Sequence, residues 1–300
     1  MLNIDKKSVF VAIVGKSNVG KSSLINRLVG EKIAIVSHRP QTTRNRITGI
    51  LTKGTYQYVF LDTPGLFKSK DKLGHKMVKT VKNSTNDVDL IVMVVEPSEK
   101  IAMAEKDFIE TFKKINIPVI LVINKVDLIK NDNELIKIKK LYNDAYNFES
   151  IIPVSTISGD GIDDLMSNVK NHAIESEHFF PADMITDKSE RFIASEILRE
   201  KLLINMRDEI PHGTAVLVEE MKRVKNLFHI YCVIYCNKES HKGIIIGKNG
   251  AMLKNVATQA RVEMEDFFNC KVDLKCWVKV KSDWKNQEYL LKSLGFMDDM

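Results

Sequence analysis

Eight residues near the N-terminus, Gly15-Lys16-Ser17-Asn18-Val19-Gly20-Lys21-Ser22, have the types and spacing needed to hold a chain of phosphates. The chemistry asks for backbone N–H groups wrapped around phosphate oxygens, a path that glycine follows without a clash, and for a point charge, here Lys21. Ser22 supplies a hydroxyl suited to Mg²⁺, and Ser23 beside it is counted with the nucleotide-binding residues. The elements needed to position such a loop stand on both sides of it. Val9–Val14 is an apolar run that reads as a buried strand, and Ser22–Val29 has Leu24, Ile25 and Leu28 at helical spacing with neither Gly nor Pro. That helix would turn its positive N-terminal end toward the phosphates. A Gly-rich strand-to-helix turn with no ligand is the alternative, disfavoured by the full match in this setting.

Further motifs follow in order. Asp62, at the end of a strand-like run, is placed like a carboxylate that holds Mg²⁺ through water, and Gly65 would offer its N–H to a γ-phosphate. Asn124-Lys125-Val126-Asp127 closes another apolar run. An Asp there accepts from both N1–H and the 2-amino group of guanine; adenine lacks that amino group, so Asp127 selects GTP and GDP by a factor on the order of 10⁴. Ser155-Thr156-Ile157, after the next strand, would set backbone N–H groups against guanine O6.

The set GKSNVGKS, a Thr-bearing loop, DTPG, NKVD and a Ser-Thr-Ile loop resembles the translation-factor-related GTPases. Position 66 is Leu, where signalling GTPases carry the Gln that orients the attacking water. Asn18 and the run Gln41-Thr42-Thr43-Arg44 match instead the branch in which K⁺ supplies part of the charge stabilisation, with the Asn at the position of Asn18 coordinating the ion. The resemblance implies a switch threonine that closes on Mg²⁺, assigned to Thr43 with its neighbour Thr42 as runner-up. The implied reaction is in-line attack of water on the γ-phosphate, with Lys21 and Mg²⁺ neutralising charge and Asn18, Thr43 and Gly65 completing the catalytic set. No general base is identifiable. Arg39, Arg44 and Arg46 are each open as internal arginine fingers or as solvated loop residues. Unassisted turnover of roughly 10⁻⁴ to 10⁻² s⁻¹ is expected.

The chain has 300 residues, long enough for two domains, and a net charge of +6. Continuous apolar strands at 90–95, 119–123 and 151–154 alternate with helical stretches at 102–115, 134–146 and 162–172, the pattern of an α/β domain with a mostly parallel sheet. Arg46–Thr52 and Tyr56–Leu61 read as a hairpin about Lys53-Gly54. Near 176–188 the pattern changes, so residues 1–176 are expected to form the nucleotide domain, 177–188 a linker and 189–300 a second domain. The second domain reads as helix, strand, strand, Gly-rich loop, helix, strand, a smaller α+β unit. Cys232, Cys236, Cys270 and Cys276 lack metal-ligand spacing and read as buried reduced thiols on strands, which implies the cytoplasm. No apolar run approaches the roughly 18 residues of a membrane span, and Met1–Lys7 carries no targeting signal.

Gly243-Ile244-Ile245-Ile246-Gly247-Lys248-Asn249-Gly250 holds the GxxG form with which KH domains clamp single-stranded nucleotides, Ile244 and Ile246 being candidates for the apolar groove. From Lys222 to Arg261 eight basic residues, Lys222, Arg223, Lys225, Lys238, Lys242, Lys248, Lys254 and Arg261, face one acid, Glu239. Lys222, Arg223 and Lys254 join the expected RNA set, against the alternative of a solvated basic face. A GTPase joined to such a domain, with Arg191–Lys201 at its opening, resembles the Era family of ribosome-assembly GTPases over nearly the whole chain; Ser17 and Ser23 depart from the family's usual Pro and Thr. The resemblance implies a type II KH domain, binding of the 3′ end of 16S ribosomal RNA in the small ribosomal subunit, gating by GTP, and action as a monomer. A peripheral regulator at the inner face of the membrane is the runner-up; the GxxG loop and the lack of a basic amphipathic helix or lipidation motif count against it.

Overall fold

The computed structural model describes residues 5–37, 42, 47–62 and 88–294. Thr43, Gly65 and Leu66 lie outside them, as do Gln41 and the three candidate arginines 39, 44 and 46. The chain forms two units, the second beginning at Lys188; Ser37 and Thr42 group with the second.

In the first unit the apolar runs become strands, of which β4 and β5 are buried on both faces. The order is β2-β3-β1-β4-β5-β6, from β1 (Lys7–Val14), β2 (Ile47–Lys53), β3 (Tyr56–Asp62), β4 (Leu90–Val95), β5 (Val119–Ile123) and β6 (Ser150–Pro153). Along this order every pair is parallel except the β2–β3 hairpin. The sheet thus extends to both sides of β1, and the crevice beyond the carboxyl ends of β1, β3 and β4 is where such a sheet takes a ligand. Gly49 of β2 shows how closely α1 (Lys21–Val29) lies: an added Cβ would meet Val29 and Ile33 at 2.9 Å. A second core gathers Phe108 and Phe112 of α2 (Met103–Phe112) and Ile138 and Tyr142 of α3 (Asp132–Ala145) against β1, β4 and β5. Its one buried acid is satisfied twice: Glu105 Oε2 accepts from Tyr142 Oη at 2.9 Å and from Ala102 N at 2.7 Å. After α4 (Ile162–Lys170), β7 (Ile174–Glu175) runs antiparallel to β1.

The expected linker is in large part pinned to this unit. The Gln57 side chain accepts from Phe179 N and Phe180 N and donates to Phe180 O, and Ile50 N donates to Ile185 O. Thr186 then bridges Gly49. No local pattern in 177–186 announces this, because every partner is more than 100 residues away.

The second unit is a three-stranded sheet, β10-β9-β8, from β8 (Ala215–Val224), β9 (Leu227–Cys236) and β10 (Lys271–Val280). β9 pairs antiparallel with β8, across a bulge at Val218/Glu220, and parallel with β10. One face of the sheet packs on α5 (Glu190–Asn205), α6 (Glu239–Ile246) and α7 (Ala251–Phe268) through residues such as Ile197, Leu202, Ile245, Val256, Ile230 and Cys232. A short α8 (Glu288–Ser293) follows. The expected Gly-rich loop from Gly243 is a correction: α6 continues to Ile246, and only Lys248–Gly250, after the Gly247 cap, forms the turn. Cys270 stands just before β10 rather than on a strand. The Cys232 thiol is pushed up by its hydrogen bond with Cys276, directly opposite in register, and by burial.

Candidate functional site

Each glycine of the phosphate loop is fixed by a neighbouring strand end. Gly15, at φ +149°, would drive a Cβ to 2.3 Å from Val94 O of β4, and Gly20, at φ +96°, to 2.2 Å from Asn124 Nδ2. Asn18 between them is exposed and left-handed at φ +68°. Gly20 caps α1, so Lys21 opens the helix; its buried ammonium donates to Gly15 O at 3.0 Å and Lys16 O at 2.9 Å. Burial lowers the Lys21 pKa to about 8, with nearby Asp62 pulling the other way. Ser22 Oγ donates to Asp62 Oδ2 at 2.8 Å. A hydroxyl and a carboxylate at the mouth of a phosphate loop are the hard oxygen donors that Mg²⁺ takes, so the residues present fit that ion.

The low Lys21 pKa gives an expected result. Phosphates favour the charged ammonium, so the pKa rises on binding, and between the two values a proton is taken up. Affinity for GTP therefore falls as pH rises above about 8. Calorimetry at pH 8.5 in two buffers of different ionisation enthalpy should report uptake of up to about 0.8 proton. Heats that do not depend on the buffer would remove this account.

Asn124 ties the phosphate loop to the 155–157 loop. Fully buried after β5, it donates from Nδ2 to Val19 O at 2.8 Å and accepts at Oδ1 from Thr156 N at 3.3 Å. Lys125, at φ +63°, donates to Asn18 O at 2.8 Å and to Glu96 Oε2 at 3.0 Å, while Lys16 pairs with Glu96 Oε1 at 3.4 Å. Burial opposes the charge on Glu96, yet the hydrogen bond and charge of Lys125, with Lys16, hold its carboxyl below the usual range. Sequence reasoning missed Glu96, since a lone acid just after a strand carries no spacing signal. Asp127 is exposed, and its Oδ1 accepts from Ser155 Oγ at 2.6 Å. Ile157 is 79% exposed beside the half-buried Thr156. The phosphate loop, Asn124–Asp127 and 155–157 are thus brought together, as the sequence predicts. Thr42, the runner-up switch residue, is instead buried in the second unit, where Arg199 donates to its carbonyl.

In the second unit Gly247 (φ +73°), Asn249 (φ +51°) and Gly250 (φ +78°) make a tight turn that leaves Lys248 and Asn249 exposed. A Cβ on Gly247 would come 2.7 Å from that of Met252. Ile244 is 51% exposed, whereas Ile246 packs on the core. Lys254 is exposed one turn into α7. Lys222 and Arg223 do not join this cluster. They pair with His229 and Phe228, near the start of β9, where β10 also starts and α7 ends, so they and the turn lie at opposite ends of a helix about 27 Å long. The Arg223 guanidinium lies over the Phe228 ring at 5.4 Å.

Residues 10–125 match the family described as 50S ribosome-binding GTPase, and residues 209–285 match the KH domain family. GTPase Era of Clostridium botulinum is 48% identical over 291 residues, 97% of this chain and 98% of that protein. GTPase Era of Clostridioides difficile is 45% identical over 97% of this chain and 99% of its own length. Among solved structures, Era in complex with MgGDPNP and nucleotides 1506–1542 of 16S ribosomal RNA superposes with a TM-score of 0.92, at 38% identity over 97% of this chain and 99% of that one. A variant of Aquifex aeolicus Era bound to GDP.AlF4- gives the same TM-score, identity and coverage. Phosphate loop, Asn124–Asp127 motif and GxxG turn stand in one sequence that aligns almost end to end with these relatives, and the chain belongs to the Era family of GTPases.

Proposed function

We propose that this GTPase binds the 3′ end of 16S ribosomal RNA in the small ribosomal subunit through residues 189–300 and is timed by GTP held in residues 1–176, with 177–188 joining them. The observation that carries the reading is the exposed Gly247-Lys248-Asn249-Gly250 turn between α6 and α7, in one chain with an Asp127–Ser155 seat for guanine. A related protein with 38% identity has been crystallised with both an analogue of GTP and that RNA. The turn's N–H groups and Lys248 would clamp the RNA backbone, with Ile244 at the groove and Lys254 adding charge. Lys222 and Arg223, far from the turn, would meet a longer RNA elsewhere along its path.

In the nucleotide site the loop Gly15–Ser23 binds and orients the phosphates, Lys21 and the α1 N-terminus place positive charge where negative charge develops, and Asp127 with Ser155–Ile157 fixes the base. Ser22 and Asp62 would hold Mg²⁺, with Thr43 added in the GTP state; the ion supplies charge neutralisation at the β- and γ-phosphates. Asn18 is the proposed K⁺ ligand. Hydrolysis should be faster in potassium than in sodium, and Asn18→Ala should abolish that difference; equal rates in the two salts would discard the assignment. The proposed compartment is the cytoplasm. Among the described residues no helix is long and apolar enough to cross a membrane.

The test is binding of single-stranded RNA from the 16S 3′ end to the chain loaded with a GTP analogue or with GDP, at fixed salt. Coupled sites give a difference on the order of 5- to 150-fold. Equal affinity in the two states would overturn the timed switch.

A further inference from the structure

The sheet of the second unit has two faces, and the helices cover only one. Along β10 the residues that alternate away from the core are Lys271, Asp273, Lys275, Trp277 and Lys279, with Lys281 next in phase. β10 is an edge strand. Its outward row therefore holds four lysines and a tryptophan against one acid. Trp277 stacks on Tyr231 of β9, ring centroids 5.8 Å apart at an interplanar angle of 12°, and is still 47% exposed. Lys275 lies 5.2 Å from the centre of the Tyr231 ring.

From this juxtaposition we infer that the outward face of β9–β10 is a second contact surface for single-stranded RNA, on which an unpaired base stacks against Trp277 while lysines on either side meet successive phosphates. Every nucleobase has a π-face, so an exposed indole already backed by a tyrosine is a stacking platform that costs little to order. Residues two apart on a strand recur at about 6.6 Å, which spaces Lys275 and Lys279 evenly about the indole. The ion pairs these lysines make, Lys279 with Glu219 at 3.2 Å and Lys275 with Asp273 at 3.8 Å, are solvent-exposed and therefore weak competitors for phosphate. The surface is distinct from the GxxG turn, which joins α6 and α7 on the other face. The two are nonetheless near the same end of the sheet: Val280 ends β10 opposite Cys236, three residues before α6, and α7 runs back from the turn toward the start of β10. An RNA longer than the roughly four nucleotides a GxxG turn clamps can pass round the β10 edge from one face to the other.

The inference rests on the reading that the second unit binds single-stranded RNA, and the experiment separates the two. The full chain, loaded with a GTP analogue, is titrated with 6- and 16-nucleotide RNAs of 16S 3′-terminal sequence. Trp277→Ala should weaken the 16-mer about fivefold or more and leave the 6-mer unchanged, and Trp277→Phe should restore most of the loss. Lys275→Gln with Lys279→Gln should lower the salt slope for the 16-mer by about 1.4. The 16-mer alone should quench the fluorescence of Trp277, the other tryptophan, Trp284, being buried. An unchanged 16-mer affinity in Trp277→Ala overturns the inference, as does an equal loss for both lengths, which would mark a structural role. Lack of quenching also overturns it and leaves the face to a protein partner. Lys248→Asp with Asn249→Asp tests the turn: full binding of the 6-mer by that variant removes the GxxG reading while the Trp277 comparison still decides the sheet face.

Discussion

Asp127→Asn should lower affinity for GTP by a factor on the order of 10⁴ and turn the preference toward xanthosine triphosphate. In the base site proposed above, the carboxylate would accept from guanine N1–H and the 2-amino group. An amide in its place points a donor at a donor, whereas xanthine, with a carbonyl at C2, accepts from that donor. The side chain is well placed for such selectivity because Ser155 Oγ donates to its Oδ1 at 2.6 Å, fixing the carboxylate plane while the residue stays open to solvent. Being exposed, the substitution should leave thermal stability within about 0.5 kcal/mol, so lost binding cannot be ascribed to unfolding. Competition between the two triphosphates, with a melting curve for each protein, checks both halves. Unchanged GTP affinity in the variant would remove Asp127 from the base site.

The proposed role of Asp127 was legible because it needs a fixed residue type at the end of a buried strand, and buried parallel strands declare themselves as unbroken apolar runs. That is why β4 and β5 coincide with their predicted limits. The features that escaped depend on distant partners. Glu96 acquires its place only when Lys16 and Lys125 converge on it from two loops. The stretch Glu239–Ile246 contains a glycine and three consecutive isoleucines, poor helix formers on propensity, and becomes helical as Ile245 buries itself completely under the second sheet. Lys222 and Arg223 cluster with the GxxG turn along the sequence, but β9 and α7 carry them to opposite ends of the unit. Charge density read along a chain is a poor guide to charge density in space.

Arg199→Ala should cost about 3–5 kcal/mol of stability in the second unit. Arg199 is only 2% exposed on α5, and its guanidinium makes a two-pronged pair with Glu196, Nε to Oε1 at 2.7 Å and Nη2 to Oε2 at 2.6 Å, besides donating to Thr42 O. Truncating it strands the Glu196 carboxylate in a place with little water, and the cost of that unpaired charge outweighs the lost attraction itself. The same logic gives an opposite expectation for the pair taken together: Arg199→Met with Glu196→Met removes both desolvation costs, fills similar volume, and should be neutral or stabilising by up to about 4 kcal/mol. Because the chain has two units, a single melting temperature would mix their transitions, and amide hydrogen exchange along α5 is the cleaner measurement. A loss under about 1 kcal/mol for Arg199→Ala would mean that water reaches the pair and that its burial contributes nothing to holding α5 in place.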